Sequence, residues 1–168
     1  MVGVKCAANG WPSWATLEIE PMNDVSSTTV WRSDVWEDLV FAMLAVGGFS
    51  IEKVLALREP FEKAGLFDPR NLAVWDEARL TRELNTAGYA RGMLTGMYAE
   101  RLARTMRSLA RERLSENEEV LRSVKKERVE KLLLAQYGIG SKVLSNFFFL
   151  RHRRQKGIRS RTNNDSCA

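Results

Sequence analysis

Length, composition and charge place this chain among globular proteins. Its 168 residues suffice for one domain with a sizeable core, and 45% hydrophobic with 28% charged residues excludes the disordered and fibrous classes. No stretch reaches the roughly eighteen apolar residues of a membrane helix. The start MVGVKCAANGWPSW lacks the apolar core of a signal peptide. Cys6 and Cys167 are too few for a disulfide framework or a metal site. We therefore expect a soluble cytoplasmic protein without metal or cofactor.

The first thirty residues are predicted to be irregular. They are rich in Gly, Pro, Ser, Thr and Asn, and only ATLEIE alternates well enough to suggest a short strand. Residues 1–30 are therefore predicted to be an irregular segment that precedes the folded domain.

Residues 31–90 are predicted to form short helices separated by capping and stop residues. A Ser or Asp before an apolar stretch can accept hydrogen bonds from the first helical amides, and glycine permits the left-handed backbone that ends a helix. Pro60 should break or bend the helix that contains it. The predicted caps are Ser33 or Asp34, Ser50, Asp68 and Asp76, and the predicted stops are Gly47 with Gly48, Gly65 and Gly88.

The second half of the chain is also helical in pattern. Apolar residues spaced by three or four predict a long helix from about Arg91 to Leu114, with a solvated, arginine-rich opposite face. A short acidic helix, SENEEVLRSV, follows, and Ser123 can cap KKERVEKLLLAQ. The stretch VLSNFFFLR is too apolar to be exposed and predicts a final helix. With about eight helices and no convincing sheet, the predicted fold class is all-α.

A glycine turn lies between the last two predicted helices, in LLAQYGIGSKVLSN. Gly138 and Gly140 flank Ile139, so the backbone can bend tightly while Ile139 points inward. Amides of such a turn and of the next helix, here at Ser141 and Lys142, can converge on an anion such as a DNA phosphate. The pattern alone also fits a tight turn without a ligand.

The longer stretch KLLLAQYGIGSKVLSNFFFL resembles the helix-hairpin-helix signature of the endonuclease III and 8-oxoguanine glycosylase superfamily. The resemblance extends upstream to VWEDLVFAMLAVGGFSIEKVLAL and FDPRNLAVWDEARLTRELNTAGYARGMLTGMYAERL, and covers about residues 31–151. It implies a compact multi-helix glycosylase-like domain. It also implies a DNA base-excision repair glycosylase, with β-elimination lyase activity, that acts as a monomer on a flipped damaged base in double-stranded DNA.

The resemblance also implies roles for individual residues. Lys142 occupies the position of the lysine that attacks the sugar of the flipped nucleotide, and residues 138–142 occupy the positions that contact the DNA backbone. The family's catalytic aspartate would fall on Ser160–Thr162, which contain no acid, so Asp165 is the nearest substitute. The family's iron–sulfur cysteines and remaining C-terminal helices are absent from this sequence.

The missing aspartate leaves two functions open. In the first, Lys142 is the nucleophile of a glycosylase. In the second, Lys142 contacts phosphate only as a charge, or is a solvated residue at a helix start, in a non-catalytic helix-hairpin-helix DNA-binding protein or an inactive glycosylase remnant.

The net charge of +5 lies in the C-terminal segment. Residues 1–150 are neutral overall, whereas the segment from Arg151 onward carries six basic residues and one acid. We predict a basic, flexible tail over 152–168, with Arg151, Arg153 and Arg154 contacting DNA; such a tail can also serve only solubility. A DNA partner would place the protein at the nucleoid, or in the nucleus of a eukaryote.

Aromatic residues and the single histidine offer further candidates. Phe49 follows the Gly47–Gly48 turn and could stack on a base, although packing beneath the loop is favoured. Tyr89 could lie against DNA or the base pocket, although a core or rim position is favoured. His152 is assigned a phosphate contact or no role. The tryptophans expected in the core are Trp31, Trp36 and Trp75.

Overall fold

The fold was analysed in a computed structural model, which describes the backbone of residues 34–162 and the side chains of residues 35–154. The predicted segment 1–30 with its strand ATLEIE, together with Ser33, Trp31, both cysteines and Asp165, lies outside the described residues. Within residues 34–162 there are nine α-helices and no strand, so the all-α prediction is confirmed. The helices are α1 Asp34–Leu44, α2 Ile51–Leu55, α3 Arg58–Lys63, α4 Pro69–Val74, α5 Glu77–Thr86, α6 Met93–Ala110, α7 Leu114–Arg122, α8 Lys126–Leu134 and α9 Ser141–Thr162.

Side-chain caps begin three of these helices, as the sequence predicted. The backbone amides of Lys53, Arg70 and Arg79 donate to Ser50, Asp68 and Asp76 respectively, over 3.4, 2.8 and 2.6 Å. These bonds satisfy amides that have no partner within the helix. The predicted stops also adopt left-handed backbone, with φ of 61° at Gly47, 85° at Gly48, 71° at Gly65 and 93° at Gly88.

Several helix ends differ from the prediction. The long helix is shorter than predicted and starts at Met93, after Gly92 with a φ of 59°. The helix expected to break at Pro60 is instead interrupted between Leu55 and Arg58, so that Pro60 lies in the first turn of α3, where its missing N–H costs little. Ser123 does not cap α8: its hydroxyl accepts from the amide of Lys125, which is itself the N-cap.

Helix α1 forms the centre of the core. Every residue from Val35 to Ala45 is buried, and α2, α6, α7 and α9 all pack against this helix. Trp36 is fully buried and donates from Nε1 to Glu118 of α7 over 3.0 Å, and Trp75 is 7% exposed. The predicted core positions of these two tryptophans are confirmed. No helix in the described part of the chain is long and apolar enough to span a membrane.

Two acidic residues of α1 are buried with the rest of the helix. Glu37 accepts from Arg58 Nε over 2.6 Å, and Asp38 accepts from Arg154 Nη2 over 2.7 Å. Arg154 Nη2 also lies 3.4 Å from Glu37. A buried charge is costly unless it is paired with an opposite charge. The burial of α1 therefore requires these ion pairs. They attach the C-terminal half of α9 and the start of α3 to the central helix.

Gly47 and Gly48 provide a matched test of the turn after α1. A Cβ atom at Gly47 would lie 2.1 Å from Tyr98 Oη, whereas one at Gly48 would have no atom within 4 Å. We expect Gly48→Ala to lower the free energy of unfolding by about 1–2 kcal/mol through backbone strain alone. Gly47→Ala should cost about 1–3 kcal/mol more because of overlap with Tyr98. Urea unfolding of the two variants measures the difference, and equal losses would contradict the packing of Tyr98 against this turn.

Candidate functional site

The segment between α8 and α9 forms a compact turn. The amide of Gln136 donates to Leu133 O over 2.9 Å, that of Ile139 donates to Gln136 O over 3.4 Å, and Gly138 has a φ of 78°. The Ile139 side chain is buried, as predicted. This residue therefore anchors the turn in the core, and its side chain does not face a ligand.

The first turn of α9 presents amides to its surroundings. The first bond of the helical pattern runs from Leu144 N to Gly140 O over 3.1 Å, so the amides of Ser141, Lys142 and Val143 have no carbonyl partner within the helix. A Cβ atom at Gly140 would have no atom within 4 Å. Unlike Gly138, Gly140 is thus open on the side that a side chain would occupy.

Gly138 is constrained by Arg101 of α6, a residue that the sequence analysis did not single out. A Cβ atom at Gly138 would lie 3.1 Å from Arg101 Cγ and 3.2 Å from both Cβ and Cδ. The arginine stem therefore lies directly against the turn. Its guanidinium carbon is 5.7 Å from the centre of the Tyr98 ring, within the range of a cation–π contact.

Two pockets meet at Lys142. The larger pocket, of about 560 Å³, lies between the loop after α1 and the first turns of α9, and the smaller, of about 300 Å³, lies between that loop, α6 and the glycine turn. Lys142 is exposed and lines both pockets. The structure thus places the predicted nucleophile at the junction of two concave surfaces.

The loop that separates the pockets is held by Arg91, which lies two residues before α6. Its guanidinium donates to the carbonyls of Val46, over 3.0 Å, and of Gly47, and lies 5.4 Å from the Phe49 ring centre. The Phe49 ring also meets Tyr89 edge to face with centres 5.0 Å apart, so the favoured position beneath the loop is confirmed. Arg91 was missed in the sequence because nothing local distinguishes it from the other arginines.

The carbonyls at the end of α1 are satisfied by two buried side chains. Tyr89 Oη donates to Leu44 O and Asn146 Nδ2 donates to Ala45 O, each over 2.8 Å. Tyr89 is fully buried, which confirms its predicted core position. Asn146 belongs to α9, four residues after Lys142, and therefore fixes the lysine's helix to the loop opposite.

The larger pocket combines aromatic and charged residues. Phe49 and Phe149 line it, and Phe149 is 51% exposed. Glu52 is the only carboxylate among the lining residues in the described part of the chain. Hydrogen bonds from the backbone amide of Glu52 and from the Ser50 hydroxyl, assisted by the charge of Arg153, lower the pKa of this carboxyl below its ordinary value.

Two of the C-terminal arginines bind groups of other helices. Arg151 donates to the carbonyls of Leu121, of Arg122 over 3.1 Å and of Ser123 over 3.4 Å, so its guanidinium occupies the end of α7. Arg154 is paired with the buried acids of α1, as described above. Both guanidinium groups therefore hold helices together, and the DNA contacts of these two arginines stay a prediction.

The predicted boundary after residue 151 falls inside α9, which continues to Thr162. His152 and Arg153 are exposed on that helix. Of the predicted basic contacts, Arg153 and Lys142 therefore keep exposed side chains. Asp165, the predicted acidic substitute, lies outside the described residues.

No protein-family model, curated protein or solved structure matches the chain. In the part that the structure describes, no group of three or more His, Cys, Asp or Glu side chains is placed to hold a metal ion. Function must therefore be inferred from the geometry around Lys142.

The two glycines of the turn should respond differently to substitution. Gly138→Ala is expected to lower the free energy of unfolding by about 1–3 kcal/mol, because its backbone is left-handed and Arg101 leaves little space for a methyl group. Gly140→Asn should change it by less than about 0.5 kcal/mol, because asparagine is a good helix N-cap and has open space here. Chemical denaturation tests both variants, and a large loss in Gly140→Asn would contradict the open environment.

Proposed function

We propose that this protein is a DNA base-excision glycosylase with β-elimination lyase activity, in which Lys142 is the nucleophile. The observation that carries the proposal is the position of Lys142, beside a glycine turn and at the junction of two pockets. A lysine so placed can reach a ligand held in either pocket while the turn holds the DNA backbone.

In this proposal α8, the turn and α9 act as a helix-hairpin-helix motif. The open face of Gly140 and the first amides of α9 meet a phosphate of the duplex, and the positive end of the helix favours that negative charge. Such contacts position the protein without reading the base sequence. The buried Ile139 keeps the turn rigid.

The larger pocket suits the extruded nucleotide. Its volume of about 560 Å³ lies within the usual range for small-molecule sites. Phe149, which is 51% exposed, offers apolar ring surface to a flipped base. Gly48 has no atom within 4 Å of where a Cβ atom would lie, so a ligand can approach the backbone of this wall there.

The proposed chemistry needs one amine and proton transfers. The neutral amine of Lys142 forms a bond to the sugar C1′ as the glycosidic bond breaks. The electron pair leaves with the base, which takes the proton that the amine gives up. Opening of the sugar ring gives a Schiff base. Loss of a C2′ proton then expels the 3′ phosphate and cleaves the strand. Glu52 supplies negative charge to the pocket in which a sugar cation would develop, in place of Asp165, the predicted substitute for the family's catalytic aspartate.

A second candidate function is supported by the exposure of Lys142. An exposed ammonium suits a simple charge contact with phosphate, as expected in a non-catalytic helix-hairpin-helix DNA-binding protein. Both functions require salt-sensitive DNA binding, and only the first requires a covalent intermediate.

Borohydride trapping separates the two functions. The protein is incubated with duplexes that carry an abasic site or one of a panel of base lesions, and borohydride reduces any Schiff base to a stable adduct. We expect an adduct with the unmodified protein and with Lys131→Ala, which removes an exposed lysine of α8 outside both pockets. Lys142→Ala should form none. Failure to form an adduct or release a base from any duplex would exclude the enzyme and leave the DNA-binding protein.

Gly140→Asn tests the phosphate contact without disturbing the fold. The new side chain would occupy the open face of the turn, so we expect duplex affinity to fall about tenfold or more as one charged hydrogen-bonding site is blocked. Gly96→Asn is the control, because Gly96 also has open space and lines neither pocket. Fluorescence anisotropy at several salt concentrations gives the affinities, and unchanged binding by Gly140→Asn would exclude this turn as the DNA contact.

A further inference from the structure

The charged side chains that line the smaller pocket are positive. Among the described residues, its lining includes two cations, Arg101 and Lys142, and no acidic residue. Its remaining lining is apolar or glycine, including Tyr98, Gly138 and Gly140. A pocket with two cations and no carboxylate favours an anionic ligand over a neutral or cationic one.

Arg101 differs from the neighbouring arginines of α6 in what it contacts. Arg104 is paired with Glu100 over 2.6 Å, and Arg107 donates to the carbonyl of Trp75 over 3.2 Å. Among the residues that the structure describes, Arg101 has no acidic partner within 4.0 Å. Its guanidinium makes a cation–π contact with the Tyr98 ring. Its guanidinium therefore retains its hydrogen-bonding capacity for a ligand.

The stem of Arg101 is held in place, although its charge is not neutralised. The Cβ, Cγ and Cδ atoms lie against the backbone of Gly138, and the ring of Tyr98 lies beneath the guanidinium. A side chain restrained in this way loses little conformational entropy when it binds. Its planar guanidinium can bind two oxygens of one phosphate.

We propose that the smaller pocket is a phosphate-binding site in which Arg101 holds a phosphodiester of the DNA backbone. The choice of DNA as the source of the phosphate rests on the proposed function. Because Lys142 lines both pockets, a phosphate on Arg101 belongs to the nucleotide whose sugar reaches Lys142, or to the one beside it. Arg101 thus sets the position of the strand relative to the nucleophile.

Arg101→Gln tests the site with little disturbance to the fold. Glutamine keeps the Cβ, Cγ and Cδ atoms that pack on Gly138 and removes the guanidinium. The control is Arg79→Gln, which removes an exposed arginine that stacks on Trp75 with a separation of 4.4 Å and lines neither pocket. Both variants lose one positive charge, so a difference between them reports the location of that charge. Thermal unfolding checks that both remain folded.

The first measurement is duplex affinity as a function of salt, with DNA that carries a stable abasic analogue. We expect Arg101→Gln to bind about tenfold or more weakly, and its slope of log affinity against log salt to fall by about one relative to the unmodified protein. Arg101→Lys should recover part of the affinity, and Arg79→Gln should keep the original slope. If Arg101→Gln and Arg79→Gln give the same slope, Arg101 does not bind backbone phosphate.

The second measurement uses inorganic phosphate and needs no DNA. We expect phosphate to shift the amide NMR signals of Gly138 and Gly140 in the unmodified protein and in Arg79→Gln, but not in Arg101→Gln. If the protein shows these shifts with phosphate but binds no duplex, the phosphate site is supported and the proposed function is wrong. Absence of shifts in the unmodified protein, or equal shifts in Arg101→Gln, would overturn the phosphate site itself.

Discussion

The burial of α1 on every side is the constraint on which the rest of the described structure depends. Because its backbone ends inside the protein, its last carbonyls need donors, and Tyr89 and Asn146 provide them. Because its acids are buried, they need cations, and Arg154 of α9 supplies one. Two polar contacts, spaced along α9, thus fix that helix to α1. The position of Lys142, four residues before Asn146, follows from the same attachment.

This attachment also explains why the site lies where it does. Helix α1 ends in a glycine turn whose carbonyls are held by Arg91, so the loop stands away from α9 and leaves space on both of its sides. Tyr98 closes one side against Gly47, and Phe49 packs beneath the other. The pockets are therefore formed by rigid, hydrogen-bonded backbone. The proposed reaction of Lys142 with a flipped nucleotide would require such a preorganised setting.

Features decided by local chemistry could be predicted from the sequence. The caps at Ser50, Asp68 and Asp76, the glycine stops and the burial of Ile139 between two glycines all depend on residues within a few positions of one another. The split of the helix before Pro60 depends on such local chemistry too, but proline is tolerated in a first turn as well as at a break, so the pattern was ambiguous.

Features decided by distant partners could not be predicted in this way. The cluster that includes Arg151 and Arg154 has the composition of a DNA-binding tail, yet both side chains bind groups of α1 or α7 that are distant in sequence. Arg101 was indistinguishable from the other arginines of α6, because its proposed role depends on the turn opposite and on the absence of an acid among the described residues that line the pocket. An arginine guanidinium thus holds helices together at Arg151 and Arg154, whereas at Arg101 it keeps its hydrogen-bonding capacity.

The central claim is that DNA meets this protein at the junction of the two pockets. Hydrogen–deuterium exchange, measured with and without a duplex that carries a stable abasic analogue, tests it directly. We predict slower exchange in two segments, the loop over 45–50 and the turn and first helical turns over 137–146, with little change at the end of α7, where Arg151 binds. Protection confined to other segments, with residues 137–146 unchanged by bound duplex, would contradict the claim.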